Sequence, residues 1–271
     1  MEKIRHEVLT FHIEKALNKK VSSLLFMANG ISNYNYLVND QTVVKFKETS
    51  LAKFNSLILE EQIATALFSL NLTPRHQFYP DLIAVDYLPN VTHLTKDNYV
   101  HYLPQLITAI KTIHGLKVET DHHFDMFARL DYYKQTSGTT TSLSDEINVI
   151  ETAKAFYESS QKTMAHNDLV NGNILIDNGQ IKLIDFEYCG LNDPDFDVVS
   201  FLSENAFVDD EVKTHFLREY YQNCPLPEHK LNAYFRFADL LWYYWALFAY
   251  KQTKRAIFLE IAHAKKSSYC R

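Results

Sequence analysis

Apolar residues recur at mostly helical spacing through residues 3–20, at Ile4, Val8, Phe11, Ile13 and Leu17, and Asn18 stands where such a helix would end. The period then shortens. Three β-type runs, 23–27, 34–38 and 42–46, are separated by the turn clusters Asn29-Gly30-Ile31-Ser32-Asn33 and Asn39-Asp40-Gln41, which predicts a meander. Helical spacing returns over 57–70 through Ile58, Ile63, Ala66, Leu67 and Leu70 until Pro74 stops it, and 82–88 reads as a further strand broken by Pro89-Asn90. Helices are predicted over 97–114 and 144–160, with a mixed connection over 117–143, and 209–263 is again helical with Pro225 and Pro227 as punctuation. A β-rich first third followed by a helix-rich remainder predicts two lobes of an α+β protein, residues 1–88 and 89–271.

The composition agrees with a packed core: of 271 residues, 46% are hydrophobic and 14% aromatic, which excludes disordered, collagenous and coiled-coil classes. The formal charge of -6 argues against nucleic acid as the main partner, because neutralising phosphates needs a surplus of Lys and Arg. Cys189, Cys224 and Cys270 are odd in number and form no C-x-x-C pair, so neither a disulfide framework nor a zinc cluster is signalled, and a reducing compartment is expected. No secretory signal is read at the N-terminus, and the most apolar stretch, 240–250, is too short for a membrane span. The expectation is a cytoplasmic protein without a membrane span. Nothing in the sequence addresses its oligomeric state.

The chemistry concentrates between residues 165 and 187. Asn178-Gly179 sits between two apolar runs and favours a two-residue hairpin turn, since both central residues need positive φ. Pairing Asp177 with Gln180 then puts Ile176 opposite Ile181, Ile174 opposite Leu183 and Asn173 opposite Ile184, one step from Asp185. Asn173 and Asp185 share the open end of the hairpin, and Asp168 enters the same end from the preceding loop. A regular ladder would send the Asn173 and Asp185 side chains to opposite faces, so the ladder must end or twist there if both are to hold one metal. One carboxylate as base beside an amide oxygen and a second carboxylate for a hard divalent cation is an arrangement suited to phosphoryl transfer.

His166-Asn167-Asp168 to Asn173, followed by Leu183-Ile184-Asp185-Phe186-Glu187-Tyr188, resembles the signature of small-molecule kinases with a protein-kinase-like fold, and in particular of the choline/ethanolamine kinases. The resemblance implies a bilobal protein kinase-like fold with a small β-rich N-lobe and a larger, mostly helical C-lobe. It also implies ATP and Mg²⁺ as cofactors, Asp168 as catalytic base, and Asn173 and Asp185 as metal ligands. His166 would pack the loop, and Glu187 would touch a second metal or serve structure. Upstream, the turn carrying Ser32 and Asn33 resembles the phosphate-covering turn, although an ordinary polar hairpin reads the same. Lys45 in an apolar strand must snorkel or be paired. The family places Glu60 as its partner, with the neighbouring Glu61 facing another side. Asp86, Tyr87 and Leu88 would form the hinge that offers backbone groups to adenine.

The acceptor depends on the helical lobe. Trp242 and Trp245, the only two tryptophans, lie three residues apart on one helix face, a spacing that taken alone reads more often as core. It resembles the choline-binding aromatic wall of choline kinases, where π-faces meet a quaternary ammonium that has no N–H to donate. Glu204 is the candidate carboxylate beside it, Asp197 would anchor the catalytic loop, and Tyr133, Tyr188 and Tyr244 are candidates to complete the cage. The expected activity is an ATP-dependent alcohol phosphotransferase making phosphocholine. The alternatives are an ethanolamine, thiamine or aminoglycoside kinase on the same fold, or a pseudokinase that binds choline or nucleotide without turnover.

Overall fold

The computed structural model describes residues 2–27, 33–47, 50–140, 142–222 and 224–271, with side chains from Glu7 onward. Ser32 therefore lies outside the described residues. Helix α1 (Glu2–Leu17) precedes strands β1 (Leu24–Met27), β2 (Asn33–Val38) and β3 (Thr42–Lys47), helix α2 (Leu57–Ser69), and strands β4 (His76–Phe78) and β5 (Ile83–Asp86). The five strands form one antiparallel sheet in the order β1-β2-β3-β5-β4. Strand alternation sends Val38, Val44, Leu82 and Ala84 to the face that α1 covers, where Ile13 is fully buried with Leu9, Ala16 and Leu17 against it. Val8 and Phe11 of the expected stripe stay exposed.

The larger lobe contains α3 (Tyr99–Gly115), α4 (Met126–Ser137), α5 (Glu146–Ser159), β6 (Thr163–Ala165), β7 (Ile174–Asp177), β8 (Gln180–Leu183), β9 (Gly190–Asn192), α6 (Asp195–Glu204), α7 (Asp210–Tyr221), α8 (Glu228–Thr253) and α9 (Ile257–Tyr269). The long helix α8 packs against α4, α5, α6 and α9, and its middle turns are buried on nearly every side. This is the bilobal protein kinase-like fold, a small sheet lobe beside a larger helical one. Helix α4 replaces part of the expected mixed connection over 117–143. Asp125 caps it by accepting hydrogen bonds from Phe127 N (3.2 Å) and Ala128 N (2.9 Å), and Met126, Leu130 and Tyr133 form its buried stripe.

The lobes are tied where the end of α2 meets the β7–β8 hairpin. Leu183 N donates to Leu72 O at 2.7 Å, and Lys182 Nζ donates to Asn71 O and Oδ1, each at 2.6 Å. Helix α2 is rotated relative to the stripe expected from its sequence. Leu59, Glu60, Ile63, Ala64 and Leu67 are buried, while Ile58 and Leu70 are exposed. That rotation turns Glu60 inward and leaves Glu61 in solvent.

Candidate active site

The hairpin has the predicted register, Ile174↔Leu183, Ile176↔Ile181 and Asp177↔Gln180, with Asn178 at φ 49° and Gly179 at φ 78°. Its open end solves the facing problem posed by the ladder. Ile184 N still donates to Asn173 O at 3.1 Å, but Asn173 belongs to a 3₁₀ turn (Asn171–Asn173) and Asp185 turns out of the strand at φ 65°. Both side chains consequently line one cleft together with Asp168. Asn173 Nδ2 donates to Asp168 O (2.9 Å) and Oδ2 (2.8 Å), which turns its own Oδ1 the other way.

The loop bearing Asp168 is held from beneath by Asp197. This carboxylate, fully buried on α6, accepts from His166 N (2.9 Å) and Asn167 N (2.6 Å) and pairs with His114 Nε2 at 2.9 Å. Burial alone would raise its pKa, but His114 and the loop N–H groups outweigh that and hold it below the usual carboxylate range. Asn167 sits at φ 64°, fixed by donation to Ala165 O (3.2 Å) and Tyr188 O (3.0 Å) and by accepting from Asn192 (2.7 Å). His166 is fully buried with its ring against Phe186 and Nε2 at 3.1 Å from Ile184 O, a packing position.

Lys45 lines the cleft and pairs with Asp185 Oδ1 at 2.8 Å. Its expected partner, Glu60, is paired instead with Lys47 and does not reach the cleft. The reason is geometric: Lys45 and Lys47 share a face of β3, the rotated α2 presents Glu60 to Lys47, and the turned-out backbone of Asp185 delivers a carboxylate to Lys45. Burial works against the charge on Lys45, yet Asp185, Glu60 and Glu187 together raise its pKa. Asn33, Asp86, Tyr87 and Leu88 line the same cleft, as does His76. The Asp86 and Tyr87 N–H groups already donate to Arg75 O (3.0 Å) and Gln41 O (2.8 Å).

Burial first, and then the carboxylates of Asp185, Glu187 and Glu204, push the Asp168 pKa well above its ordinary value, while the Asn173 hydrogen bond opposes the shift. Burial likewise raises Glu187, which accepts from Asn55 at 3.2 Å. A cation bound here would offset this crowding of negative charge. Among the described residues no group of three or more His, Cys, Asp or Glu side chains forms a metal cage. Asn173 and Asp185 nonetheless fit Mg²⁺, which takes few protein oxygens and keeps water and phosphate oxygens as its other ligands.

The cleft, about 990 Å³, continues from these groups to an aromatic end lined by Tyr188, Phe207, Trp242 and Trp245, with Glu204 and Lys265 beside them. The two indoles stand 5.8 Å apart at 89°, and Tyr188 meets Trp242 edge-on at 5.9 Å. Tyr133 and Tyr244 do not complete this cage. Tyr133 stacks on Phe248 at 5.2 Å, and the Tyr244 hydroxyl donates to Glu146 in the core. Lys265, paired with Glu204, went unseen in the sequence. Its signal was a Lys on the buried stripe Phe258, Ala262, Lys265 and Tyr269 of α9.

The profile of the phosphotransferase enzyme family matches residues 23–226, most of the chain and every loop and strand of the site just described. The chain belongs to that family. The protein LicA of Haemophilus influenzae is 37% identical over 89 residues, a stretch that is 30% of this chain and 33% of that protein, so the match spans about a third of the curated relative. The choline kinase LicA of Streptococcus pneumoniae superposes with a TM-score of 0.80 at 18% identity, covering 98% of this chain and 99% of that one. An ethanolamine kinase of Plasmodium vivax superposes with a TM-score of 0.74 at 16% identity, covering 97% and 86%. At these identities the two solved structures establish the family fold. No helix among the described residues is long and apolar enough to cross a membrane.

Proposed function

We propose that the chain transfers the terminal phosphoryl group of ATP to the hydroxyl of choline. The observation that carries this reading is one continuous cleft with Lys45, Asp168, Asn173 and Asp185 in its middle and two perpendicular indoles at its end. Asp168 accepts the hydroxyl proton as the choline oxygen attacks the γ-phosphorus, and Asn173, donating to the same carboxylate, orients it. Lys45 lies against the phosphates with Asp185 beside it. Asn173 and Asp185 would hold Mg²⁺, which would supply charge neutralisation on the phosphate oxygens. With the Asp86 and Tyr87 N–H groups already engaged, the hinge donor that meets adenine is the Leu88 N–H.

At the acceptor end the trimethylammonium group lies against the faces of Trp242 and Trp245, whose corner suits a compact cation with no hydrogen to donate. An aminoglycoside, with several ammonium groups, needs several free carboxylates, and here Lys265 already engages Glu204. A panel of choline, ethanolamine, thiamine and an aminoglycoside assayed with Mg-ATP should give the highest kcat/KM for choline. A larger value for ethanolamine, thiamine or the aminoglycoside contradicts the assignment.

A further inference from the structure

Lys265 is nearly buried on α9, 9% exposed, and its side chain opens into the acceptor end of the cleft. Its Nζ ion-pairs with Glu204 Oε1 and lies 3.5 Å from Asp239 Oδ1, and the Ser203 hydroxyl donates to the same Glu204 Oε1 at 3.1 Å. On α8, Asp239, Trp242 and Trp245 follow at intervals of three, so the charged group and the indole corner share one helix face. Two carboxylates against one ammonium leave this cluster with one negative charge in excess.

The arrangement affects two kinds of acceptor differently. A quaternary ammonium has no N–H, so it needs no acceptor oxygen; the excess negative charge and the indole faces suffice to hold it. A primary ammonium leaving water needs partners for its N–H groups, because an unpaired buried donor is costly. The Glu204 carboxylate beside the indoles already accepts from Lys265 and Ser203, both at Oε1. Reaching it would also put two ammonium groups on one carboxylate, which repel each other at that range.

We propose that Lys265 determines acceptor specificity: by engaging Glu204 it selects quaternary over primary amino alcohols. The inference rests on the reading of the chain as an amino-alcohol kinase. Lys265 also ties α9 to α6 and α8, so loss of activity or stability alone would not separate the two roles. The ratio of kcat/KM between acceptors does, because a purely structural contribution moves all acceptors together.

The experiment measures kcat/KM at saturating Mg-ATP for ethanolamine, its N-methyl and N,N-dimethyl derivatives, and choline. The enzymes are the native chain, Lys265→Met, Lys265→Arg and the double variant Glu204→Gln/Lys265→Met. In the native enzyme the value rises with each added methyl. In Lys265→Met the choline-to-ethanolamine ratio should fall by at least about tenfold, the worth of one hydrogen bond to a charged group. Lys265→Arg should keep the native order, and the double variant, which removes both charges of the closer pair, should lose the ethanolamine gain. A Lys265→Met ratio within about twofold of native overturns the proposal, and so does an ethanolamine gain that persists in the double variant. Because both tryptophans of the chain line this end of the cleft, quenching of their fluorescence by choline and by ethanolamine gives the same comparison without turnover. Native enzyme that phosphorylates none of the four compounds refutes the amino-alcohol reading itself, an outcome distinct from an unchanged ratio.

Discussion

Asn167 and Asp168 are neighbours in one loop, Asp185 follows the hairpin after it, and two of the three, Asn167 and Asp185, adopt the left-handed backbone region that residues other than glycine uncommonly occupy. Such strain persists only where surrounding contacts over-determine it, and here it turns the Asp185 carboxylate toward Lys45 and into the cleft. At the other end of the cleft the claim concerns π-faces. Trp245→Leu keeps apolar bulk and removes the indole, so the KM for choline should rise about tenfold while the KM for ATP stays within about twofold. Equal effects on both would make Trp245 a core residue. His76 supplies a test by pH. Burial, with the Lys45 ammonium adding to it, pushes its imidazole down to about 4, while the bond to Pro74 O opposes the shift. The neutral ring is favoured in the folded chain, and the unfolded chain binds the proton first as pH falls below the ordinary value of 6.5. The stabilisation is therefore complete above that value and declines as pH falls toward 4. Between pH 7 and pH 5 the native chain should lose about 2 kcal/mol more unfolding free energy in urea than His76→Gln does. Identical slopes would contradict it.

At the scale of elements, the site is a loop, a hairpin and a helix N-terminal turn held in register. Asp197 of α6 accepts two consecutive backbone N–H groups from the loop that carries Asp168, so helix and loop form one unit. Asp197→Asn removes the charge and one acceptor from a fully buried network. It should destabilise the fold by about 3 kcal/mol in urea unfolding and lower kcat more than it raises either KM. A loss under about 1 kcal/mol would mean that the loop is held by other contacts. The β7–β8 hairpin was readable from Asn178-Gly179 because a two-residue turn dictates its register. Helix α4 was not, since the polar Thr and Ser residues that follow it mask a short stripe that its Asp125 cap announces. The pairing of Glu60 was missed for another reason. Its helix carries apolar residues on both of two adjoining stripes, and only packing against the hairpin and the large core selects which one turns inward.

The molecule as a whole is two lobes around a cleft whose lining comes from both. The sheet lobe brings Lys45, with the segment Asp86-Tyr87-Leu88 beside it, and the helical lobe brings the hairpin, the loop and the indole corner. Much of this was readable because the chemistry is local in sequence: Asp168, Asn173 and Asp185 fall within one loop and its hairpin. The aromatic end of the cleft was readable in part. Trp242 and Trp245 announce themselves by rarity and spacing, whereas Lys265 meets Glu204 across 61 residues of chain, a pairing with no local pattern to betray it. The central claim is that Asp168 takes the proton of a choline hydroxyl in this cleft, and the direct test follows phosphocholine by phosphorus NMR with Mg-ATP and choline for the native chain and Asp168→Asn. The account predicts phosphocholine and ADP in equal amounts from the native chain, and a fall of at least about a hundredfold in kcat for Asp168→Asn with ADP binding retained. No phosphocholine from the native chain, or turnover unchanged in the variant, would contradict it.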